Sequence, residues 1–337
     1  MSREVEAIER ADETTMRTRI RQASAPFVVR GLVAHWPAVQ RAQEGVATLA
    51  TYLQGLDNGR PAGVLTASAH LKGRFGYTPD LEALNFSRAQ QTLSEVVATL
   101  IRLSGHPMPP GLYLQSAPAR DHAPDFAAQN PMPLLPPEIG PRLWIGNATR
   151  AALHNDHDLN LACLVAGRRH FLLFPPEQVA NLYIGPLGHT PSGRPIGIAD
   201  LDTPDFDTYP RLQQAFAHAQ SVTLAPGDVL FIPRYWWHQV TTEGPFGMLA
   251  NFWWGSYANP LEDPAVVFNQ ALAAMAGLSA ADRAYWREMF RLHIADPQPD
   301  TFAHLPPESR QMNEAERRSL LSGIEGVMRR HFGPPQP

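Results

Sequence analysis

Pro226-Gly-Asp-Val-Leu-Phe-Ile-Pro-Arg-Tyr-Trp-Trp-His238-Gln-Val240 is the stretch on which the fold turns. Pro-Gly-Asp is a turn signal: proline presets φ, glycine accepts positive φ, and aspartate bonds nearby backbone. The turn delivers Val229, Leu230, Phe231 and Ile232, a branched and aromatic run with the composition of a core strand. Similar short runs lie on both sides, at Arg142–Gly146, Asn160–Val165, His170–Phe174, Ser221–Leu224, Trp237–Thr241 and Met248–Trp254. Together with Asp228–Ile232 they make seven short strands punctuated by Pro and Gly. The spacing predicts a mainly β fold, a sandwich or jelly roll.

The composition limits what can surround that core. The chain has 337 residues, 44% hydrophobic and 18% charged, so it can bury a large core and is not a disordered tail. Its 33 prolines, about twice the usual ~5%, favour loops and short strands over long helices. A formal net charge of −4 argues against a basic nucleic-acid surface. The single cysteine, Cys163, excludes an internal disulfide and a cysteine-cluster zinc site, and reads as a small buried hydrophobe. The charged N-terminus carries no signal-like apolar stretch, and no run approaches 18 apolar residues; the expectation is a soluble, cytoplasmic protein with no membrane partner.

Three regions are expected. Residues 1–110 read as a helical or mixed region packing on the core, mostly helical to about residue 104, with Thr92-Leu-Ser-Glu95 as a capping box before Val96, Val97, Leu100 and Ile101. Residues 111–258 hold the β core. Within it the Pro-rich stretch 117–141 and the insert 184–210 read as loops bordering the entrance to a site, with a short helical piece at Arg211–His218 following the insert. Residues 259–337 read as helices from Asp263 to Met275, Ser279 to Ile294 and Asn313 to Phe332, with Ser279 and Asn313 as N-caps. Val266, Val267, Leu272, Trp286 and Leu320 give these helices apolar surface, enough either for a homodimer interface or to cover the sheet.

The chemistry centres on Ala152-Leu-His-Asn-Asp-His-Asp-Leu-Asn160. On a strand, His154 and Asp156 point to the same face. His238, just past the core strand and behind Trp236 and Trp237, needs a partner, because an unpaired buried donor costs about 1–3 kcal/mol. A histidine bonded to a backbone carbonyl in the core satisfies that need too. Two histidines and one carboxylate converging in a β-sandwich make the facial set that holds non-haem Fe(II) with three positions open.

His154-x-Asp156, Asn160, Gly167-Arg-Arg169, Leu172-Leu-Phe-Pro-Pro176, Pro226–Pro233, Trp236-Trp-His238 and Asn251-Phe-Trp253 occur in one order that resembles the JmjC-type, cupin-like 2-oxoglutarate oxygenases. Within them the sequence is similar to the branch of the factor-inhibiting-HIF asparaginyl hydroxylase and to bacterial cupin-like proteins. The resemblance covers Tyr113 to Gly255, and more loosely Ala25-Pro-Phe-Val-Val-Arg-Gly31 and the C-terminal helices. It implies a double-stranded β-helix (jelly-roll, cupin) core with an N-terminal helical region and C-terminal helices. It further implies Fe(II) on His154, Asp156 and His238, with O2 and 2-oxoglutarate as co-substrates. By position it assigns Arg169, fifteen residues past His154, to the distal carboxylate of 2-oxoglutarate. Tyr113, Asn160 and Asn251 match positions that contact the co-substrate, and Trp253 matches the aromatic that walls it.

Two departures stand out. Where relatives often carry a Thr three residues before the first histidine, this chain has Ala151, and Thr149 is a candidate substitute. Asp158 is a competing carboxylate, but Gly167 and Arg169 fit the register of Asp156. The implied activity is hydroxylation of a side chain on a protein or peptide, giving succinate and CO2. The alternatives are a small-molecule hydroxylase of the same family and a cupin-type binding protein that catalyses nothing.

Overall fold

The computed structural model describes residues 2–188, 190, 191, 193–298 and 300–332. The chain divides into two compact units, one ending at Gly255 and the other starting at Ser256. Among the described residues the first contains thirteen strands: β1 (Arg3–Glu4), β2 (Glu6–Ile8), β3 (Phe27–Val29), β4 (Ala62–Ala67), β5 (Arg74–Phe75), β6 (Phe86–Gln91), β7 (Gly111–Pro118), β8 (Arg142–Gly146), β9 (Arg150–Asn155), β10 (Leu159–Phe174), β11 (Gln220–Leu224), β12 (Val229–Ile232) and β13 (Trp237–Trp254). Its helices are α1 (Glu13–Gln22), α2 (Pro37–Glu44), α3 (Val46–Leu56), α4 (Leu93–Leu103), α5 (Ala119–His122), α6 (Phe126–Gln129) and α7 (Leu212–Ala217).

Two long strands organise everything else. Asn160–Val165 and His170–Phe174, expected as separate strands, are one strand, β10, and the two expected runs after Trp237 are likewise one, β13. The glycines between the runs look like breaks in the sequence, yet the chain bends there without reversing. Gly167 has φ +79°, and a Cβ on it would meet the Phe246 carbonyl oxygen at 2.8 Å. The β10–β13 register slips between Leu164 and Arg168, so this is a bulge rather than a turn.

The bend lets one strand pair serve two sheets, as strands do at the corners of a jelly roll. The first half of β10 pairs with the second half of β13, flanked by β12 on one side and by β8 on the other; β3, β2, β7, β4 and β6 extend this larger sheet. The second half of β10 pairs with the first half of β13, flanked by β11 and β1 on one side and by β9 and β5 on the other. The slip also changes which residues face inward: Asn160 and Ala162 before it, Arg169 and Phe171 after it.

The outer face of the larger sheet is covered by helices. Leu161, Cys163, Val165, Val229 and Phe231 join one buried cluster with Trp36, Leu49, Leu53, Val96 and Leu100. In α4, Leu93, Val96, Val97 and Leu100 form the i, i+3, i+4, i+7 stripe of a one-faced helix, started by the expected capping box. The turn before β12 is held by Asp228, whose buried carboxylate accepts from Ala225 and Gly31 backbone N–H groups and pairs with Arg30 at 2.7 Å.

Two expectations are corrected. The mostly helical reading to residue 104 misses six strands: β1, β2, β3 and β5 are only two or three residues long and take their partners from elsewhere in the chain, while β4 and β6, six residues each, pair with one another across the intervening segment. The stretch 117–141, expected at a cavity mouth, is packed into the helical cluster instead. Ala119, Ala123, Phe126, Leu134 and Leu135 are buried, Phe126 stands edge-on to Trp36, and Asn130 Oδ1 accepts from Ala38 N–H. That last bond caps α2, whose own N-cap residue, Trp36, has no side-chain acceptor. Proline here ends short helices; it does not expel the chain from the core.

The second unit holds α8 (Pro264–Met275), α9 (Ala280–Phe290) and α10 (Glu314–Phe332). Ser279 accepts from Asp282 N–H and Asn313 from Glu316 N–H, the caps read from the sequence. Neither α8 nor α9 buries a residue. Among the described residues no helix is long and apolar enough to cross a membrane.

Candidate active site

The cavity between the two sheets is lined from both sides. Tyr113, Gln115, Trp144, Asn160, Ala162, Leu249, Asn251 and Trp253 come from the larger sheet; Ala151, His154, Arg169, Phe171, His238 and Val240 come from the smaller. Asp156 completes the lining. The eight residues singled out in the sequence therefore share one cavity.

A bulge in β9 aims the first ligand. Ala151 pairs with Val240 and His154 with His238, so Ala152 and Leu153 together oppose Gln239 alone. The extra residue lets Ala151 and His154, three apart, both face the cavity. Asp156 is not on the strand, which ends at Asn155. It sits in the following turn, where its backbone carbonyl accepts from Tyr235 N–H at 2.8 Å, tying it to the segment that leads into His238.

His154, Asp156 and His238 each bring one ligand atom to within 4.8 Å of the others. The imidazole centroids are 4.4 Å apart, and His238 Nε2 lies 3.7 Å from Asp156 Oδ2. Each histidine is held the same way: Nδ1 lies 2.8 Å from the Ala152 carbonyl in one and 2.9 Å from the Trp236 carbonyl in the other. A carbonyl only accepts, so Nδ1 carries the proton and Nε2 presents its lone pair. Burial, then the neighbouring His154, pushes the His238 pKa down to about 4 against the opposing pull of Asp156, so His238 is neutral and able to ligate at neutral pH. Asp158 is not in the converging group.

The rest of the cavity offers mostly donors. Arg169 is 2% exposed; Nη2 donates to the Trp144 carbonyl at 3.1 Å, while Nε has no partner. Burial lowers its pKa and raises that of Tyr113, and the contact between the two opposes both shifts. Trp253 Nε1 is a second buried donor without a partner. The amide of Asn251 is committed: Oδ1 accepts from Trp144 Nε1 at 2.7 Å and Nδ2 donates to Asn160 Oδ1 at 3.1 Å. This relay engages the oxygen of Asn160, itself a lining residue. Asn251 thus orients Asn160 as well as lining the wall.

Thr149 does not replace the hydroxyl absent at Ala151. Its Oγ1 bonds Thr242 Oγ1 at 3.1 Å, and it is not part of the cavity wall. Trp144 and Gln115 were missed in the sequence. Strand parity could have found both, since Gln115 is two residues after Tyr113, and Trp144 alternates with Leu143 and Ile145, which are buried in the helical core.

Residues 13–259 match the family described as cupin-like domain. The chain belongs to that family. The resemblance to JmjC-type, cupin-like proteins read from the motifs is borne out. This family member is 36% identical over 115 residues to a lysine-specific demethylase of Arabidopsis thaliana, covering 34% of the chain and 20% of that protein. It is 37% identical over 113 residues to human HSPB1-associated protein 1, covering 33% and 22%. With a tRNA wybutosine-synthesizing protein of Gallus gallus it shares 37% identity over 101 residues, covering 30% and 29%. The matches span less than a third of each relative, and the three names describe different roles.

Proposed function

We propose that this protein is an Fe(II)- and 2-oxoglutarate-dependent oxygenase that hydroxylates a side chain of a protein or peptide. The observation that carries the reading is the pair of buried donors without partners, Arg169 Nε and Trp253 Nε1, in the wall of the cavity that gathers His154, Asp156 and His238. A buried donor left unpaired costs about 1–3 kcal/mol, and a buried cation more. A carboxylate ligand removes that cost.

His154, Asp156 and His238 would hold the metal, a neutral-imidazole and carboxylate set suited to Fe(II). When bound, Fe(II) supplies the redox chemistry: O2 and 2-oxoglutarate give succinate and CO2, and the second oxygen atom enters a substrate C–H bond as a hydroxyl. The chain's own residues position and exclude. Arg169 and Tyr113 bind the distal carboxylate, Arg169 through the N–H that now lacks a partner. Asn160, held through its oxygen by Asn251 and Trp144, lines the opposite sheet, and the Trp253 indole N–H adds a donor there. Phe171, Val240 and Leu249 keep water from the cavity floor. The two Nδ1–carbonyl bonds hold the imidazoles in one tautomer before the metal arrives.

The test is optical. Under anaerobic conditions Fe(II) plus 2-oxoglutarate gives a weak visible charge-transfer band in the wild type, and none in His154→Ala. A wild type that binds Fe(II) but shows no band with 2-oxoglutarate would overturn the reading. We further propose that in solution a second copy of the chain docks through the C-terminal helices, α8 among them.

A further inference from the structure

Two arginines stand at opposite ends of the cavity. Arg169, buried, lies just past the β10 bulge, opposite Thr242. Arg142 lies where β8 begins, opposite Asn251. Two residues further along β13, Trp253 pairs with Asn160, which follows Asp156 by four residues. Arg142 is therefore at the end of the cavity that holds the metal ligands. Residues directly opposite in an antiparallel pair share a face, and side chains alternate along a strand, so Arg142 is on the cavity side with Asn251 and Trp144. It does not itself line the cavity and is half-buried, which places it at the rim.

The side chain is fixed there. Its guanidinium carbon lies 5.5 Å from the centroid of the Trp253 ring. Nε donates to Ser116 Oγ at 2.6 Å, and Nη2 donates to the Ser116 carbonyl at 2.9 Å. Ser116 offers both acceptors because the β7–β8 register slips between Leu114 and Ala117, so that Gln115 and Ser116 together oppose Trp144. Ser116 has φ +55°, a left-handed conformation uncommon for serine. The chain accepts local strain to hold one guanidinium against one indole.

What holds Arg142 does not neutralise it. Serine and tryptophan bring no charge, and among the described residues no carboxylate forms an ion pair with it and Nη1 has no hydrogen-bond partner. The nearby Asp121 pairs with Arg120 at 3.9 Å. Burial, then Arg120, lowers the Arg142 pKa against the pull of Asp121. Arg74 on β5 and Arg150 on β9 differ in this respect, since Asp200 and Asp202 neutralise them. A positioned, uncompensated guanidinium with N–H groups to spare suits an oxyanion, above all a carboxylate, whose geometry matches its fork.

We propose that Arg142 is a specificity-determining residue that takes a carboxylate of the substrate at the rim of the cavity. This rests on the oxygenase reading above and adds the charge of the substrate to it: the group offered to the metal ligands has an acidic neighbour, and neutral or basic analogues are poor substrates.

The probes are two libraries of end-blocked decapeptides, alike except that Asp and Glu in one are Asn and Gln in the other. Each is read by retention on the immobilised metal-free protein, and by the gain of one oxygen atom after incubation with Fe(II), 2-oxoglutarate, ascorbate and O2. The wild type should favour the acidic library about tenfold in both readouts, as expected for a charge-assisted pair. In Arg142→Gln the ratio should fall to about one, with the anaerobic 2-oxoglutarate midpoint unchanged within about twofold. Arg142→Lys keeps the charge and loses the fork on Ser116, so it should keep most of the preference. A wild type without the preference would overturn the proposal, as would an Arg142→Gln variant that retains it. Loss of the preference in the Lys variant as fully as in the Gln variant would also overturn it, because the Ser116 turn rather than the charge would then be the cause. A missing charge-transfer band overturns the oxygenase reading instead, and retention, measured without metal, tells the two failures apart.

Discussion

The helix α4 of the first unit and α8 of the second begin with equally good local signals and end in opposite situations. Thr92 and Glu95 form a capping box, and Asp263 caps α8 by accepting from Ala265 N–H. In α4, Leu93, Val96, Val97 and Leu100 are at most 1% exposed. In α8, the consecutive residues Val266, Val267 and Phe268 are 42%, 47% and 55% exposed. Caps decide where a helix starts, and a stripe facing a sheet decides whether it buries anything. α4 has the stripe and the sheet. Three consecutive apolar residues cannot share one face, so α8 presents apolar surface round much of its girth.

The largest expected effect belongs to the site that the first unit supports. His154→Ala or Asp156→Ala should abolish the charge-transfer band and lower turnover by more than the 10–100-fold typical of losing a residue that only orients a ligand. The far-UV circular dichroism should not change, because both side chains sit at the cavity and not in the helical core. Next comes Phe231→Ala. The ring is fully buried, 5.0 Å from Phe27 and 6.3 Å from Trp254, so urea unfolding should show a loss of about 3–5 kcal/mol. Arg169→Leu separates function from stability. It removes a buried cation whose Nε is unpaired, so the metal-free protein should be as stable as wild type or more so, while the KM for 2-oxoglutarate rises at least tenfold. A stability loss with unchanged KM would make Arg169 a structural residue.

How much of this was legible follows from range along the chain. The core runs, the capping box and the Pro-Gly-Asp turn are local patterns, and each is where its residues said; the His-x-Asp pair is local too, but Asp156 lies just past the end of β9 rather than on it. The three-residue strand Phe27–Val29 is not local: it becomes a strand only because Val229–Phe231, some two hundred residues on, lie beside it. The bulges at Gly167 and at Ala152–Leu153 were illegible for a related reason. A glycine or an alanine in an alternating run does not say whether the chain turns or slips, and the slip alone places Arg169 and Ala151 on the cavity side. Trp144 and Gln115 could have been read, since strand parity assigns them to the face opposite Leu143 and Leu114.

The smallest effect tests the other side of the comparison. Thr92→Ala removes a cap under a helix that is otherwise buried, and about 1 kcal/mol should go with it. Phe268→Ala removes far more surface from a helix with no fully buried residue, so in dilute protein the unfolding free energy should change by less than about 0.5 kcal/mol. The same substitution should weaken self-association measured by sedimentation equilibrium about tenfold, or 1.4 kcal/mol, if a second copy covers α8 as proposed. A ring that is silent in the monomer and costly in the pair is the signature of an intermolecular face. A loss of several kcal/mol in dilute protein would instead mean that α8 packs within its own chain, and α4 and α8 would then differ only in degree.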